Sequence, residues 1–302
     1  MPVRKALLVG INAYASAPLR GCVNDVKQVK DLLAKYYGFA DADAKVLLDK
    51  DATVKAIKSG LKWLAEGGSD PDAVRVFHFS GHGYFVPDEN GDEPDGRDEC
   101  LVPYDYENAG FLTDDTLKKL YDTFPSSGNL TLLMDCCHSG TVQRDLNDVV
   151  YRFLPARLED VEKADEAKRQ FNNAREDFVV EQLRAIGDVN ALSTDDLRSK
   201  VGDLIKSFEK GRFGDVRVRE SNVLMAGCRD DQQSADAHIE GDYHGAFTYY
   251  LADAIVKSNG TITYHDLIAA MSRKLEAGRY VQIPQLECRG GREKRVAFNP
   301  FA

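Results

Sequence analysis

At 302 residues, 43% of them hydrophobic and 29% charged, the chain is long enough for one large α/β domain or two small ones and is too apolar to be disordered throughout. A formal charge of -10 disfavours general nucleic-acid binding, which needs a basic face, and suits pockets that attract cations. No apolar run approaches the roughly 18 to 20 residues of a membrane span, and six scattered cysteines do not make a disulfide framework, so the expectation is a cytoplasmic protein with free thiols.

In chain order, KALLVGI at Lys5 to Ile11 reads as a buried strand, and a helix follows from near Asn24 or Asp25, with Val26, Val29, Leu32, Leu33 and Tyr36 at helical spacing and Gly38 ending it. Lys45 to Leu48 is a second strand, Thr53 to Ala65 a second helix, and Val74 to Phe79 a third strand. Leu101 to Pro103 reads as a short strand, Asp114 to Tyr121 as a helix, and Leu130 to Met134 as the fourth main strand. From about Asp145 to Ser221 charges crowd together and strands vanish, with a long polar helix over Leu158 to Ile186. The sheet pattern resumes at Asn222 to Ala226. A polar loop, helices over Gly245 to Val256 and Tyr264 to Leu275, and a last strand at Arg295 to Phe298 complete the chain. Alternating strands and helices imply a mostly parallel sheet, with residues 1–145 as a large part, 146–221 as a charged, largely helical insertion, and 222–302 as a small part of the same sheet.

Two of the strands run straight into reactive residues. Val74 to Ser80 meets Gly81-His82-Gly83, and Leu130 to Met134 meets Asp135-Cys136-Cys137-His138-Ser139-Gly140. In an open parallel sheet such groups gather in the crevice at the carboxyl ends of the strands. A nucleophilic cysteine needs a histidine to take its proton, and 137 − 82 = 55 residues is the order and rough separation of a caspase-type dyad. The amides of Gly83 and Cys137 are candidate donors to an oxyanion. Cys136 reads as core, because successive strand side chains diverge, whereas Asp135 faces the same way as Cys137. A Cys136-Cys137-His138 metal cluster lacks the second ligand pair a tetrahedral site needs. His78, His238, His244 and His265 read as structural or surface residues. Asp88, Asn90, Asp92 and Glu99 echo an EF-hand loop, but Glu93 occupies the glycine position, and a solvated acidic loop is the preferred reading.

These motifs, with LRGCVND at Leu19 to Asp25, DGRDECLVP at Asp95 to Pro103 and RDDQQSADA at Arg229 to Ala237, resemble those of metacaspases, the caspase-related cysteine proteases. Caspases proper carry Gln-Ala-Cys where this chain has Asp-Cys-Cys. The resemblance implies an α/β fold, a caspase-like three-layer sandwich with a mostly parallel sheet of about six strands. It implies protein or peptide substrates cut after arginine or lysine by Cys137 and His82, with Asp25, Ser80 and Asp135 holding the basic side chain. Two carboxylates facing a guanidinium suit that role, although an acid at Asp25 also suits a helix N-terminus. Calcium enters as an implied activator on Asp98, Asp114 and Asp115. Where the family has a fourth acid, Arg144 stands with Asp145 next, a departure that opposes a cation there. Self-cleavage in the linker falls on Lys206, Lys210, Arg212, Arg217 or Arg219, and the resemblance favours a monomer. A catalytically silent caspase-fold interaction protein and a non-proteolytic hydrolase of another cationic substrate remain alternatives.

Overall fold

The computed structural model describes residues 2–68, 70, 72–91, 93–125, 129–137, 150–186, 193–212, 222–229 and 232–299. The elements in chain order are β1 (Arg4–Gly10), α1 (Cys22–Tyr37), β2 (Ala44–Leu48), α2 (Val54–Ala65), β3 (Val74–Ser80), β4 (Gly83–Pro87), β5 (Arg97–Leu101), α3 (Tyr106–Ala109), β6 (Leu112–Thr113), α4 (Asp114–Tyr121) and β7 (Asn129–Asp135). They continue with β8 (Val150–Tyr151), α5 (Leu158–Ile186), α6 (Thr194–Arg212), β9 (Asn222–Ala226), β10 (Ala235–Ile239), β11 (Asp242–Gly245), α7 (Ala246–Lys257), α8 (Tyr264–Ala277) and β12 (Gln285–Cys288). The chain divides into two compact units, one of Met1–Tyr84, Cys100–Pro155 and Val218–Ala302, the other of Phe85–Glu99 and Ala156–Arg217. Residues 150–155, which the sequence pattern groups with the insertion, thus belong to the first unit.

The first unit is built on a six-stranded sheet in the order β12-β9-β7-β3-β1-β2, parallel except for β12. The central strands β3 and β7 are largely apolar and buried along almost their whole length because both faces are covered. Alternation along β1 divides the faces: Ala6 and Leu8 join the core formed by α1, α7 and α8, while Leu7 lies against Gly60 of α2. Helix layers on both faces of a mostly parallel sheet are the caspase-like sandwich expected.

Local chemistry explains the helix ends. Thr53, Thr113 and Thr263 cap α2, α4 and α8 by accepting the amide N–H of Ala56, Thr116 and Asp266. Gly38, at φ 68°, closes α1 in the left-handed region.

The C-terminal strand is displaced from the expected position. Arg295 to Phe298 does not join the sheet; Ala297 and Phe298 are buried in the core, Phe298 has φ 56°, and Val296 forms only an isolated bridge to Thr263. The edge strand is β12, antiparallel to β9, whose Gln285 and Glu287 are polar because an edge needs no apolar cover on both faces.

In the second unit α5 and α6 pack through Phe208, whose ring lies 5.5 Å from Phe171 and 5.4 Å from Phe178. The Asp88 carboxylate accepts from the amides of Asn90, Gly91 and Glu93, so it organises its own loop. That bond set favours the loop reading over the EF-hand echo; Asp92 lies outside the described residues.

The sheet register brings Gly10, Ser80 and Asp135 side by side at the carboxyl ends of β1, β3 and β7. Gly10 is required there by close approach, since a Cβ would stand 2.6 Å from the Cys22 carbonyl oxygen and 2.8 Å from Val26 Cγ2. Gly10→Ala is therefore expected to lower stability by roughly 1 to 3 kcal/mol. Urea unfolding checks this as a lower midpoint at unchanged slope.

Candidate active site

The chemistry converges on one backbone carbonyl, that of Arg152. The amides of Gly83 and Cys137, both expected as oxyanion donors, donate to it at 2.9 Å and 3.1 Å. Gly83 must be glycine here, because a Cβ would collide with the Cys137 carbonyl.

His82 follows directly on β3. Its Nε2 lies 2.7 Å from the Ala17 carbonyl oxygen, which can only accept, so the proton sits on Nε2 and Nδ1 keeps its lone pair. Nδ1 has no hydrogen-bond partner among the described residues. The Tyr14 hydroxyl accepts the His82 amide N–H and donates to the Val102 carbonyl, and the two rings lie 4.6 Å apart. Burial first, against the opposing Ala17 contact, pushes His82 down to about 4, so the ring is neutral at pH 7 and able to take a proton.

Cys137 is buried, and the Ser234 amide N–H is directed at its sulfur. Cys136 is buried beside it, as a core residue would be. Contact with Cys137 first, then burial, pushes the Cys228 thiol well up, so this neighbour stays protonated at neutral pH. All six cysteines are free thiols.

The Arg152 side chain enters a fully buried acidic cluster. Its Nη2 bonds Asp25 Oδ2 at 2.7 Å and Asp236 Oδ1 at 2.9 Å; its Nη1 bonds Ser80 Oγ at 2.7 Å and stands 3.1 Å from Asp135 Oδ2. Asp25, Ser80 and Asp135 are the three expected pocket residues, each completely buried. Asp25 lies in the first turn of α1, and its carboxylate also accepts from Ser80 Oγ and the Gly245 amide. Burial would raise its carboxyl, but Arg152, helped by His244, holds it below the usual range. Asp135 stays raised, because burial and the charge of Asp25 outweigh Arg152. Ser234 and Thr248 hydroxyls donate to Asp135 at 2.7 Å each.

Sequence reasoning passed over three participants. Asp236, on β10, also accepts the amides of Arg20 and Gly21, which ties the hairpin of β10 and β11 to the start of α1. Gly245 ends β11, where a Cβ would collide with Asp135 Oδ2 and press on the Arg152 guanidinium. Arg152 itself sits in the apolar run Val149 to Pro155, the one such run in a polar stretch. His244, read as structural, stands 3.5 Å from Asp25.

The remaining candidates lie elsewhere. Asp114 and Asp115 open α4 and Asp98 lies in β5, and among the described residues no three His, Cys, Asp or Glu side chains gather to hold a metal. Arg144, which stands where the family has a fourth acid, lies outside the described residues. Lys206, Lys210 and Arg212 fall within α6; Arg217 and Arg219, with His138, Ser139 and Gly140, fall outside the described residues. An open groove of about 330 Å³ lies apart, lined by Gln28, Tyr36, Tyr249 and Asp253, whereas the acidic site is filled by Arg152.

Two outcomes follow from this geometry. Gly83→Ala should leave less than one part in a hundred of any Cys137-dependent turnover, the loss expected when an oxyanion donor is displaced. Turnover kinetics on protein with an unchanged circular dichroism spectrum checks it. His78, fully buried with Nε2 3.4 Å from Thr248 Oγ1, is pushed down to about 4 by burial first. An unfolded histidine binds its proton near pH 6.5, so this contribution to stability is complete above that pH and is lost as pH falls toward 4. Its full size is on the order of 3 kcal/mol. His78→Gln should shrink the fall in unfolding free energy between pH 7 and pH 4, which urea titrations of both proteins measure.

The chain is similar to known proteins in sequence and in fold. The family described as metacaspase, peptidase C14 domain, matches residues 4–146. Metacaspase-1A of Aspergillus niger is 32% identical over 303 residues, covering 94% of this chain and 70% of that protein. Metacaspase-1 of Pyricularia oryzae is 33% identical over 300 residues, covering 94% and 71%. The crystal structure of protein GSU0716 from Geobacter sulfurreducens shares the fold at 23% identity, with a TM-score of 0.66 over 100% of both chains. With relatives of that identity spanning nearly its whole length, this chain belongs to the metacaspases, the caspase-related cysteine peptidases.

Proposed function

We propose that this metacaspase is an endopeptidase that cuts after arginine or lysine with Cys137 as nucleophile and His82 as acid and base. The observation that carries the reading is the guanidinium of Arg152 held by Asp25, Asp135 and Asp236 while its carbonyl oxygen accepts from two amides. A substrate arginine placed the same way would present its carbonyl carbon for attack. A lysine would meet the same carboxylates as a point charge, and an acidic side chain would be repelled.

Neutral His82 takes the thiol proton of Cys137, and the thiolate adds to the carbonyl carbon. The oxyanion is held by Gly83 and Cys137 amides, the peptide C–N bond breaks, and the imidazolium gives its proton to the leaving amine. Water then hydrolyses the thioester, with His82 as base. No step runs through calcium. Cytoplasmic residence and a monomeric state belong to the same proposal; free thiols suit a reducing compartment. Among the described residues no helix is long and apolar enough to cross a membrane. Later cuts at Lys206, Lys210 or Arg212 would need the end of α6 to unwind, since proteases bind extended chain.

Reporter peptides ending in Arg, Lys or Asp before the dye, assayed with calcium and with chelator, test the reading. Arg and Lys reporters should be cut and Cys137→Ala should be inactive. Cleavage after Asp would overturn the pocket assignment, and silence toward every reporter would favour the non-catalytic scaffold. Loss of cutting in chelator would show that the acidic residues do assemble a calcium site. Asp236→Asn should lower kcat/KM for the Arg reporter by roughly 30-fold or more, the effect of removing one partner from a buried charge pair.

A further inference from the structure

We infer that Tyr14 is the positioning residue of His82, holding the imidazole in the orientation from which it exchanges a proton with the Cys137 sulfur and the leaving amine. This inference rests on the role of His82 as acid and base proposed above.

His82 stands where the backbone is least constrained. β3 ends at Ser80 and β4 begins at Gly83, so the histidine falls between two strands with a glycine on either side. Glycine gives a chain its greatest freedom, whereas a proton acceptor has to keep its lone pair aimed. The restraint must therefore come from outside the strand, and Tyr14 supplies it at two points. Its hydroxyl accepts the His82 amide N–H at 3.1 Å and donates to the Val102 carbonyl at 2.8 Å. The Val102 amide in turn donates to the His82 carbonyl at 3.0 Å, so both polar groups of the His82 backbone are tied to one bridge. The Tyr14 ring lies 4.6 Å from the imidazole at an interplanar angle of 50°, close enough to favour the imidazolium formed during the reaction. Burial first pushes the Tyr14 hydroxyl well above its ordinary pKa, so it stays a neutral donor. A buried tyrosine needs one partner for its hydroxyl, and Val102 already provides it; the bond from His82 and the contact with its ring go beyond what packing asks.

The loop between β1 and α1 keeps Tyr14 in place. The Ile11 amide donates to the Ser80 carbonyl, which carries the pairing of β1 with β3 up to the histidine. Asn12 then closes the loop on itself. Its carbonyl accepts the amides of Tyr14 and Leu19, its Oδ1 accepts the Cys22 amide, and its Nδ2 donates to the Arg20 carbonyl. One oxygen of Asp49 accepts the amides of Asn12 and Ala13. The same loop presents the Ala17 carbonyl to Nε2, and Pro18 keeps Ala17 out of helical geometry. The fit also explains Gly81, where a Cβ would stand 2.6 Å from the Tyr14 hydroxyl. One loop thus fixes the backbone, one side of the ring and the Nε2 of His82, which leaves Nδ1 as the atom that moves the proton.

The test compares wild type with Tyr14→Phe, which keeps the ring and removes the hydroxyl. The variant's kcat/KM should fall about 10-fold or more on Arg and Lys reporters alike, with their ratio unchanged because the acidic cluster is untouched. Nitrogen-15 spectra of histidine-labelled protein at neutral pH, with the His82 signals assigned through His82→Gln, give a readout that needs no substrate. Wild type should show a single neutral tautomer protonated on Nε2, and Tyr14→Phe should show both tautomers in exchange. Should Tyr14→Phe fail to fold, Gly81→Ala, which crowds the same hydroxyl, must show both changes. Full activity in Tyr14→Phe, a changed Arg to Lys ratio, or a lower rate with the single tautomer retained would overturn the inference while leaving the protease standing. If wild type cuts no reporter, the protease reading falls and the spectra decide alone: one tautomer in both proteins overturns the hold of Tyr14 on His82, and its loss in Tyr14→Phe upholds it.

Discussion

One arginine among three carboxylates, all buried, holds the centre of the first unit together. Arg152 is drawn to Asp25 at the start of α1, Asp135 at the end of β7 and Asp236 on β10. Taking such charges out of water is costly, and it succeeds only because nearly every lone pair is met, by Ser80, Ser234, Thr248 and the amides of Arg20, Gly21 and Gly245. Removing one member would leave the others uncompensated, a penalty of about 3 to 5 kcal/mol. On the donor side, the Arg152 Nε–H has no partner among the described residues.

The same contacts align the reacting groups. Asp135 precedes Cys137 by two residues, so the end of β7 delivers an acid of the buried cluster and the proposed nucleophile together. Ser80 precedes His82 by two residues on β3, and the register sets Ser80 beside Asp135. Binding and chemistry are therefore parts of one sheet edge. Ser234 couples them further, its hydroxyl on Asp135 and its amide on the Cys137 sulfur.

How much of this could be read from residues alone depended on burial. Strands β1, β3, β7 and β9 are buried along most of their length and show as largely apolar runs, and the helix over Asp114 to Tyr121 matches its expected ends. The hairpin of β10 and β11 was hidden because ADAHIEGDYHG is polar. Its one signal was the two-residue turn, Glu240 at φ 51° and Gly241 at φ 98°, a pair of positive values that suits a tight hairpin. Missing the hairpin meant missing Asp236. The final apolar run misled for the opposite reason: Ala297 and Phe298 are core residues held by packing outside the sheet. His82, Cys137, Asp25, Ser80 and Asp135 could be singled out since each lies in or next to a readable element. Arg152 was not, because its significance lies in contacts across 127 residues to Asp25 and 84 to Asp236.

That three buried carboxylates share one guanidinium has a consequence for how such a chain can diverge. A substitution that altered the charge of Asp25, Asp135 or Asp236 would strand a buried guanidinium. A change at Arg152 alone would leave three carboxylates facing one another. The four side chains are thus bound to change together, and a lineage that altered one would have to alter its partners within few steps.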